Sequence, residues 1–249
     1  MKTAFITGAS SGIGKATAFL LAENNINLVL CGRRLEKLNE IKNILKNKVS
    51  VHVLSFDIRH HQQVKKAIES LPTEFRQIDY LINNAGNAHG RASIQAGSLE
   101  DWETMIDLNI KGLLYVTKEI LPIMLEKQSG HIVNIGSIAG IDAYANGNVY
   151  CATKSAVDML SKTMRIDLLE EGIKVSEVKP GLVETEFSKV RFKGNEEEAT
   201  KVYQNYTPLT AEDVADLIYF IISRPKHVNI ADSLILPTDQ ASATMVFKK

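Results

Sequence analysis

The sequence predicts a three-layer α/β domain in which a seven-stranded parallel sheet carries helices on both faces. Two observations predict this fold class. Seven short apolar runs alternate with longer segments of helical periodicity, and this alternation is typical of parallel sheets. The first run leads directly into a glycine-rich turn, a pattern found where a strand precedes a nucleotide-binding helix.

The seven predicted strands follow one another at intervals that leave room for a helix. Their sequences are TAFIT, INLVLC, VSVHVLSF, IDYLINN, GHIVNIGS, KVSEVKP and SLILP. Between the strands, apolar residues recur at three- and four-residue steps, as in Ala18, Leu21 and Ala22. Long helices are expected from about Leu99 to Lys127 and from Asn148 to Glu170.

No linker, repeat or low-complexity tract interrupts this alternation, so we expect residues 1–249 to form a single domain. The exception to the pattern lies between Pro180 and about Pro208, where EEE and scattered aromatic residues replace a clean strand or helix. A long excursion in a compact domain is usually functional. We therefore expect a substrate loop at about 183–208.

Composition excludes several classes of function. The 29 basic and 29 acidic residues cancel, so no overall field recruits nucleic acid or an anionic membrane surface. No metal site is expected, because the six histidines are scattered and the adjacent pair His60 and His61 has no carboxylate cluster beside it. Cys31 and Cys151 fit no ligand spacing and are interpreted as reduced packing residues.

The expected location is the cytoplasm. The amino-terminal segment MKTAFITGAS reaches glycine and polar residues too early for a secretory signal, and no apolar run approaches the length of a membrane span. The two reduced cysteines agree with that compartment.

The glycine-rich turn, TGASSGIG, predicts a Rossmann-type dinucleotide site. Gly8, Gly12 and Gly14 let the backbone turn tightly and approach a ligand, and the helix that begins near Ile13 presents free N–H groups to a pyrophosphate. A glycine turn alone is weak evidence. Its position after the first strand of an alternating pattern makes the prediction specific.

The end of the second strand favours the phosphorylated cofactor, NADP(H). Enzymes that prefer NAD place an acid there to bind the ribose hydroxyls, but this sequence reads CGRRLEKL, with Arg33 and Arg34. Arginine binds phosphate through two parallel hydrogen bonds and keeps its charge. Two alternatives remain: the arginines are basic residues at an exposed helix start, or Glu36 reaches a ribose.

Tyr150 and Lys154 lie four residues apart in NVYCATKSAV, so a helix places them on the same side. Such a pair is most often solvated surface, and other residues must decide its role. These features, with NNAG at 83–86, Asn109 and Ser137, make the chain resemble the short-chain dehydrogenase/reductase family over its whole length.

The resemblance implies the cofactor site. The glycine turn holds the diphosphate, an aspartate after the third strand contacts the adenine, and the PG after the sixth strand adjoins the nicotinamide. The implied cofactor residues are Gly8, Ser10, Ser11, Gly12, Ile13, Gly14, Arg33, Arg34, Asp57, Ile58, Asn84, Ala85, Gly86, Tyr150, Lys154, Pro180, Gly181, Val183 and Thr185.

The resemblance also implies a catalytic set of Asn109, Ser137, Tyr150 and Lys154. Tyrosine would exchange a proton with the substrate, although its ordinary pKa of about 10 makes it a poor base at neutral pH. We expect the ammonium of Lys154 to lower that pKa; at about 4 Å and an effective dielectric near 20, a charge contributes about 4 kcal/mol. Ser137 would donate to the substrate oxygen, and Asn109 would hold a water.

Longer stretches, including DWETMIDLNIKGLLYVTK and FSKVRFKG, resemble a subgroup, the NADP-dependent 3-hydroxy acid dehydrogenases. This likeness implies substrates such as serine, allo-threonine, 3-hydroxyisobutyrate and 3-hydroxypropionate, or their oxo forms. A desolvated carboxylate needs a partner, and Arg191 and Lys193 are the candidates in VRFKG. Arginine suits a planar carboxylate better, so Arg191 is expected to bind it, while Ser137 and Tyr150 contact the reacting oxygen of the substrate; a solvated charge on the loop is the alternative. Further walls are expected at 87–93 and 140–148.

Two other functions compete with this interpretation. One is a broad-specificity NADPH-dependent carbonyl reductase, and the other is a dinucleotide-sensing protein without turnover, against which the intact catalytic set argues. The resemblance further implies a homotetramer, with the two long helices pairing subunits and the C-terminal PTDQASATMVF extending across them.

Overall fold

The computed structural model of the protein describes all 249 residues. Its strands are β1 (Thr3–Thr7), β2 (Asn27–Gly32), β3 (Val51–Ser55), β4 (Tyr80–Asn83), β5 (Gly130–Ile135), β6 (Ile173–Pro180) and β7 (Asp232–Ile235). They form one parallel sheet in the order β3-β2-β1-β4-β5-β6-β7. The predicted seven-stranded sheet is therefore confirmed.

Nine α-helices accompany the sheet. They are α1 (Gly12–Glu23), α2 (Leu35–Leu45), α3 (His61–Glu69), α4 (Leu99–Ile106), α5 (Leu113–Lys127), α6 (Asn148–Asp167), α7 (Phe187–Arg191), α8 (Glu196–Lys201) and α9 (Ala211–Ile222). None of them combines the length and the apolar character that crossing a bilayer requires.

Alternating strand residues build two separate apolar layers. Ile6 of β1 packs in a core with helices α1, α2 and α9, whereas the adjacent Phe5 packs on the opposite face against α3 and α5. Both residues are fully buried, as expected for a strand covered on both sides. This burial explains why the strands read as continuous apolar runs.

Strand order reverses between β1 and β4, which are neighbours in the sheet although β2 and β3 separate them in sequence. Crevices at the carboxyl ends of strands beside such a reversal are the usual ligand sites of open α/β sheets. The turn after β1 and the segment after β4 meet at this point.

The two long helices match their predicted positions, apart from a π-helical turn in the first and an end three residues earlier than predicted in the second. The first begins at Leu99 and ends at Lys127, but residues Asp107–Gly112 form a π-helical turn between α4 and α5. The second begins at Asn148 and ends at Asp167. A π turn leaves no clear periodicity in six residues, so the sequence predicted an uninterrupted helix.

The segment predicted as an irregular loop contains two short helices, α7 and α8. Asn195 caps α8 by accepting a hydrogen bond from the backbone N–H of Glu198 at 3.1 Å. Five- and six-residue helices are too short to give a periodic signal. Contacts with the rest of the molecule stabilise them.

The C-terminal tail folds against its own chain. The side-chain Oε1 of Gln240 accepts from the backbone N–H of Leu182 at 2.8 Å, and the backbone N–H of Ala243 donates to Asp142 at 2.7 Å. Ala243 also lines the cleft at the carboxyl ends of the strands. The extension of this tail across subunits, which the family resemblance implies, stays a prediction.

Candidate active site

A cleft of about 810 Å³ opens at the carboxyl ends of the strands. All but two of the residues singled out from the sequence line it, from the glycine turn at one end to Arg191 at the other. The exceptions are Gly14 and Asn109, which lie behind the wall and act on it through contacts. Long-range folding therefore gathers a set that spans more than 180 positions of the chain.

The glycine turn has the backbone geometry that a pyrophosphate site needs. Gly8 and Gly12 have positive φ values of 66° and 51°, which glycine adopts without strain. Ser11 precedes α1 but makes no side-chain hydrogen bond to its first turn, and that turn contains no acid. The first N–H groups of a 12-residue helix thus face the cleft without a side-chain acceptor, as anion binding requires.

Gly14 holds the turn together by close packing, although it does not line the cleft. A Cβ atom at this position would lie 2.5 Å from the carbonyl oxygen of Gly8 and 2.5 Å from Nδ2 of Asn84. The same Nδ2 donates to the carbonyl of Thr7 at 2.9 Å. Asn84 therefore fixes the end of β4 to the turn after β1, and no side chain fits between them.

The two arginines after β2 lie beside the glycine turn. Arg34 donates to Oγ of Ser10 at 3.0 Å and to Oγ of Ser11 at 2.6 Å, and it pairs with Glu186 at 2.7 Å. Arg33 is more open, with 65% of its side chain exposed and a 3.9 Å pair to Asp57. Guanidinium groups next to the N-terminus of α1 suit the additional phosphate of NADP(H).

Asp57 is held by a neighbour. Its carboxylate accepts two hydrogen bonds from Nε of Arg59, at 3.0 and 3.1 Å, and one from Nη2 at 2.7 Å. Hydrogen bonds from Arg59 outweigh partial burial and lower the pKa of Asp57 below its usual value. The carboxylate at the end of β3 is therefore a fixed acceptor beside the cleft.

Tyr150 and Lys154 both lie on the buried face of α6, with exposures of 8% and 6%. Nζ of Lys154 donates to the carbonyl oxygen of Ile135, the last residue of β5, at 2.8 Å. Burial lowers the pKa of Lys154 to about 8. The site thus holds a cation in an environment that disfavours charge.

The phenol of Tyr150 differs from the sequence prediction. Burial raises its pKa above the ordinary value, and nearby Tyr144 adds to the effect, whereas Ser137 and Arg191 act in the opposite direction. Desolvation dominates, so the predicted lowering of this pKa by Lys154 is not found in the structure. A lowered pKa in the loaded site stays a prediction.

Ser137 follows β5 and begins a short 3₁₀ turn, Ile138–Gly140. Its Oγ accepts from the backbone N–H of Ala139 at 3.1 Å, which orients the hydroxyl in the wall of the cleft. A hydroxyl oxygen can accept one hydrogen bond and donate another. Ser137 therefore keeps a donor for a substrate oxygen.

Asn109 lies in the π-helical turn and is 2% exposed. Its Oδ1 accepts from the backbone N–H of Asn87 at 2.8 Å, and its Nδ2 donates to the carbonyl of Asn87 at 2.8 Å and to Thr153 at 3.0 Å. A Cβ on Gly86 would lie 3.2 Å from Oδ1 of Asn109 and 3.4 Å from Nζ of Lys154. For the predicted water, this side chain offers only the second lone pair of Oδ1.

Two guanidinium groups line the cleft beside the ring of Tyr144. Arg191 lies 5.7 Å from the ring centre of Tyr150 and 5.3 Å from that of Tyr144, and Arg91 lies 6.0 Å from Tyr144. The arginines that form ion pairs are Arg33, Arg34 and Arg59. Arg91 and Arg191 pair with no carboxylate of the chain.

Sequence reasoning missed four side chains at this site, Arg91 among them. The ring of Phe187 lies 5.7 Å from that of Tyr150, the ring of Tyr144 contacts both unpaired guanidinium groups, and Glu186 pairs with Arg34. Arg91 and Tyr144 lie within the two predicted wall segments, but nothing in those segments singled them out. Their role depends on where the loops lie in space.

A glycine turn that suits a pyrophosphate, two arginines beside it and a buried Tyr-Lys pair define a dinucleotide-dependent oxidoreductase. Comparison with known proteins agrees. The family model for short chain dehydrogenases matches residues 2–196. The chain is 45% identical to an NADP-dependent 3-hydroxy acid dehydrogenase of Schizosaccharomyces pombe, across 100% of this chain and 97% of that protein.

Two further relatives extend the comparison. A sulfoacetaldehyde reductase 2 of Chromohalobacter salexigens is 43% identical over 95% of this chain and 94% of its own length. The closed form of a serine dehydrogenase complexed with NADP⁺ superposes with a TM-score of 0.93 at 42% identity, and the match covers 99% of each chain. The protein belongs to the short-chain dehydrogenase family. It is an NADP-dependent oxidoreductase that acts on CH–OH groups.

Proposed function

We propose that this enzyme interconverts short 3-hydroxy acids and their oxo or semialdehyde forms. Serine, allo-threonine, 3-hydroxyisobutyrate and 3-hydroxypropionate are the proposed substrates. The observation that carries the proposal is that two guanidinium groups without a carboxylate partner lie in the cleft, Arg191 beside the rings of Tyr150 and Tyr144 and Arg91 beside the ring of Tyr144. Cations that line a cleft and have no carboxylate partner in the chain favour an anionic ligand.

Each side chain has a proposed task. Tyr150 exchanges a proton with the substrate oxygen, Ser137 donates a hydrogen bond to that oxygen, and Lys154 stabilises the phenolate. NADP(H), when bound, supplies or accepts the hydride. We propose that Ser10, Ser11 and the N-terminus of α1 hold its pyrophosphate, and that Arg33 and Arg34 hold its 2′-phosphate.

The proton path needs more than Tyr150. A buried phenol that gives up its proton must recover it, and Lys154 with its pKa of about 8 can exchange protons near neutral pH. We propose that a water on the free lone pair of Asn109 connects Lys154 with solvent. The π turn supports this role, because π turns recur at functional sites and present a side chain at an unusual angle.

The variant Tyr150→Phe tests the proton donor. It is expected to lose turnover by at least about 10²-fold, the usual contribution of acid–base catalysis, at NADPH concentrations that saturate the variant, as NADPH fluorescence titration establishes. Tyr219→Phe, in α9 on the opposite face of the sheet, is the matched control. Turnover by Tyr150→Phe at the level of this control would refute the assignment.

A substrate series tests the carboxylate site. With wild type, kcat/KM for each 3-hydroxy acid is expected to exceed that for its methyl ester, and Arg191→Ala is expected to remove most of the difference. Lys193→Ala is the control, because Lys193 lies in the same segment but pairs with Asp101 at 3.0 Å. Equal discrimination in wild type and Arg191→Ala would rule out Arg191 as the carboxylate partner.

The same assay tests two alternatives, a neutral carbonyl substrate and a sulfonate. An enzyme that reduces neutral ketones in addition to the oxo acids would be the broad-specificity carbonyl reductase. Sulfoacetaldehyde belongs in the series because one close relative carries that activity in its name. A sulfonate presents three oxygens, so preference for it over the carboxylate should depend on both Arg91 and Arg191.

We further propose that the domain at residues 1–249 assembles into a homotetramer, with 183–208 as its substrate loop. Large apolar side chains on the outer face of α6 support assembly, since Met159 and Ile166 are 57% and 73% exposed. Met245 and Phe247 of the C-terminal tail are each 66% exposed. Light scattering tests the proposal, and a monomer would contradict it. The cytoplasmic location stays a prediction from the sequence.

A further inference from the structure

Glu186 joins the substrate loop to the cofactor-binding turn. Its carboxylate lies 2.7 Å from Nη1 of Arg34 and 3.1 Å from Nζ of Lys37. Arg34 is one of the two arginines at the proposed 2′-phosphate site, and 152 residues separate it from Glu186. Glu186 directly follows Thr185 and precedes α7, the helix that ends at Arg191.

The hydrogen-bonding groups of Arg34 are largely occupied within the chain. Nη1 donates to Glu186, Nη2 donates to Ser10 and Ser11, and Nε donates to Ser10. A phosphate that binds arginine in its two-pronged geometry needs two of these same N–H groups. Arg33, by contrast, is 65% exposed and makes only a 3.9 Å pair.

The negative charge of Glu186 adds to the competition for Arg34. A 2′-phosphate carries up to two negative charges and would lie next to a carboxylate that already holds Arg34. The hydrogen bond from Arg34 lowers the pKa of Glu186 to about 2. Protonation therefore does not remove the negative charge of Glu186 near neutral pH, and only movement of the side chain separates that charge from the phosphate.

We propose that Glu186 competes with the 2′-phosphate of NADP(H) for Arg34, so that cofactor binding displaces Glu186 and releases the beginning of the substrate loop. The competition lowers affinity for the phosphorylated cofactor and makes loop movement depend on the phosphate. Glu186 is thus a residue that sets cofactor specificity, although its effect on the affinity for NADP(H) is opposite to that of Arg33 and Arg34.

The position of Glu186 allows its displacement to affect the substrate-binding part of the cleft. Thr185 packs on the glycine turn, where a Cβ on Gly12 would lie 3.3 Å from Cβ of Thr185. One residue later the chain enters α7, whose last residue, Arg191, faces Tyr150. A change at Glu186 therefore acts on the short helix that carries the proposed carboxylate ligand.

Binding of nucleotide fragments tests the competition without turnover. Adenosine 2′,5′-bisphosphate carries the 2′-phosphate and 5′-AMP lacks it, and calorimetry gives the affinity of each. Glu186→Gln is expected to bind the bisphosphate about two- to fivefold more tightly than wild type, the range for a partly exposed ion pair, with affinity for 5′-AMP unchanged. Glu196→Gln is the control, since Glu196 lies in the same segment and pairs with Lys189.

Two results would overturn the proposal at this step. Weaker binding of the bisphosphate by Glu186→Gln would mean that Glu186 holds Arg34 in place for the phosphate. An equal change in affinity for both nucleotides, or in both variants, would mean that the carboxylate acts only through the overall electrostatic potential of the cleft. Either outcome leaves the proposed substrate class unaffected, because no substrate takes part.

Hydrogen–deuterium exchange tests the release of the loop. In wild type, the bisphosphate is expected to speed exchange of the backbone amides at residues 185–191, whereas 5′-AMP leaves them unchanged. In Glu186→Gln these amides should exchange fast before any nucleotide is added. Exchange that does not respond to the 2′-phosphate in wild type would show that Glu186 remains in place, contrary to the proposal.

Discussion

Lys154 carries an ammonium group into the protein interior, and the cost of this burial can be measured. Its pKa of about 8 lies below the ordinary lysine value of about 10.4. At about 1.36 kcal/mol per pH unit, that difference corresponds to about 3 kcal/mol of unfavourable free energy in the folded state at neutral pH. The variant Lys154→Met removes the charge and keeps a side chain of similar length.

The variant also loses the hydrogen bond from Nζ to the carbonyl of Ile135. A hydrogen bond from a charged group contributes about 1.5–3 kcal/mol, which offsets part of the gain. We therefore expect Lys154→Met to be catalytically inactive but more stable than wild type by about 1 kcal/mol. For a chain of this size the midpoint of thermal unfolding should rise by about 2–4 °C.

The pH dependence distinguishes this explanation from a general packing effect. Lysine with a lowered folded-state pKa binds fewer protons folded than unfolded between pH 8 and about 10.4, so wild-type stability rises through that window. The advantage of Lys154→Met should be complete below pH 8 and fade toward pH 10.4. Thermal unfolding of the apo proteins at pH 7 and pH 10 measures it.

Lys118→Met is the control for the chemical change alone. Lys118 is an exposed residue of α5, so its replacement relieves no burial. Its effect on unfolding should be small and the same at both pH values. The reasoning is wrong if Lys154→Met is less stable than wild type at pH 7, or if the two proteins differ by the same amount at pH 10.

Three further predictions concern other parts of the molecule. Gly14→Ala should cost about 1–3 kcal/mol of stability and weaken NADPH binding, because its Cβ would lie 2.5 Å from the carbonyl of Gly8. Thermal unfolding and fluorescence titration measure the two effects. Gly32→Ala is the control, because its Cβ would meet nothing closer than 3.6 Å. Arg33→Ala should lower kcat/KM for NADPH and not for NADH, and an unchanged ratio would argue against a phosphate contact. Burial lowers the pKa of His131 to about 3, so wild-type stability should fall as pH drops from about 6.5 toward 3, and His131→Gln should flatten that slope in urea unfolding.

The sequence determined the elements that depend on local periodicity. Alternating apolar runs predicted seven parallel strands, and the order of glycines predicted the turn after β1. Tyr150 and Lys154 share the buried face of α6 because residues four apart on a helix always lie on one side. These features need no knowledge of distant parts of the chain.

The tertiary structure decided the contacts between distant segments and the electrostatics that depend on burial. Glu186 meets Arg34 only because the loop after β6 returns to the turn after β1. The buried cluster in which Lys179 contacts Asp158, at 2.7 Å, and Asp232 has no signal in the sequence, and neither does the burial that raises the pKa of Glu177 to about 8.

Desolvation also explains the pKa of Tyr150. Spacing places an ammonium on the same helical face, but the pKa depends on how much water the surrounding strands and loops exclude. Local patterns fix which groups are neighbours along one element, because backbone geometry is regular. The free energy of a charge depends on every atom that replaces water around it, and only the folded chain brings those atoms together.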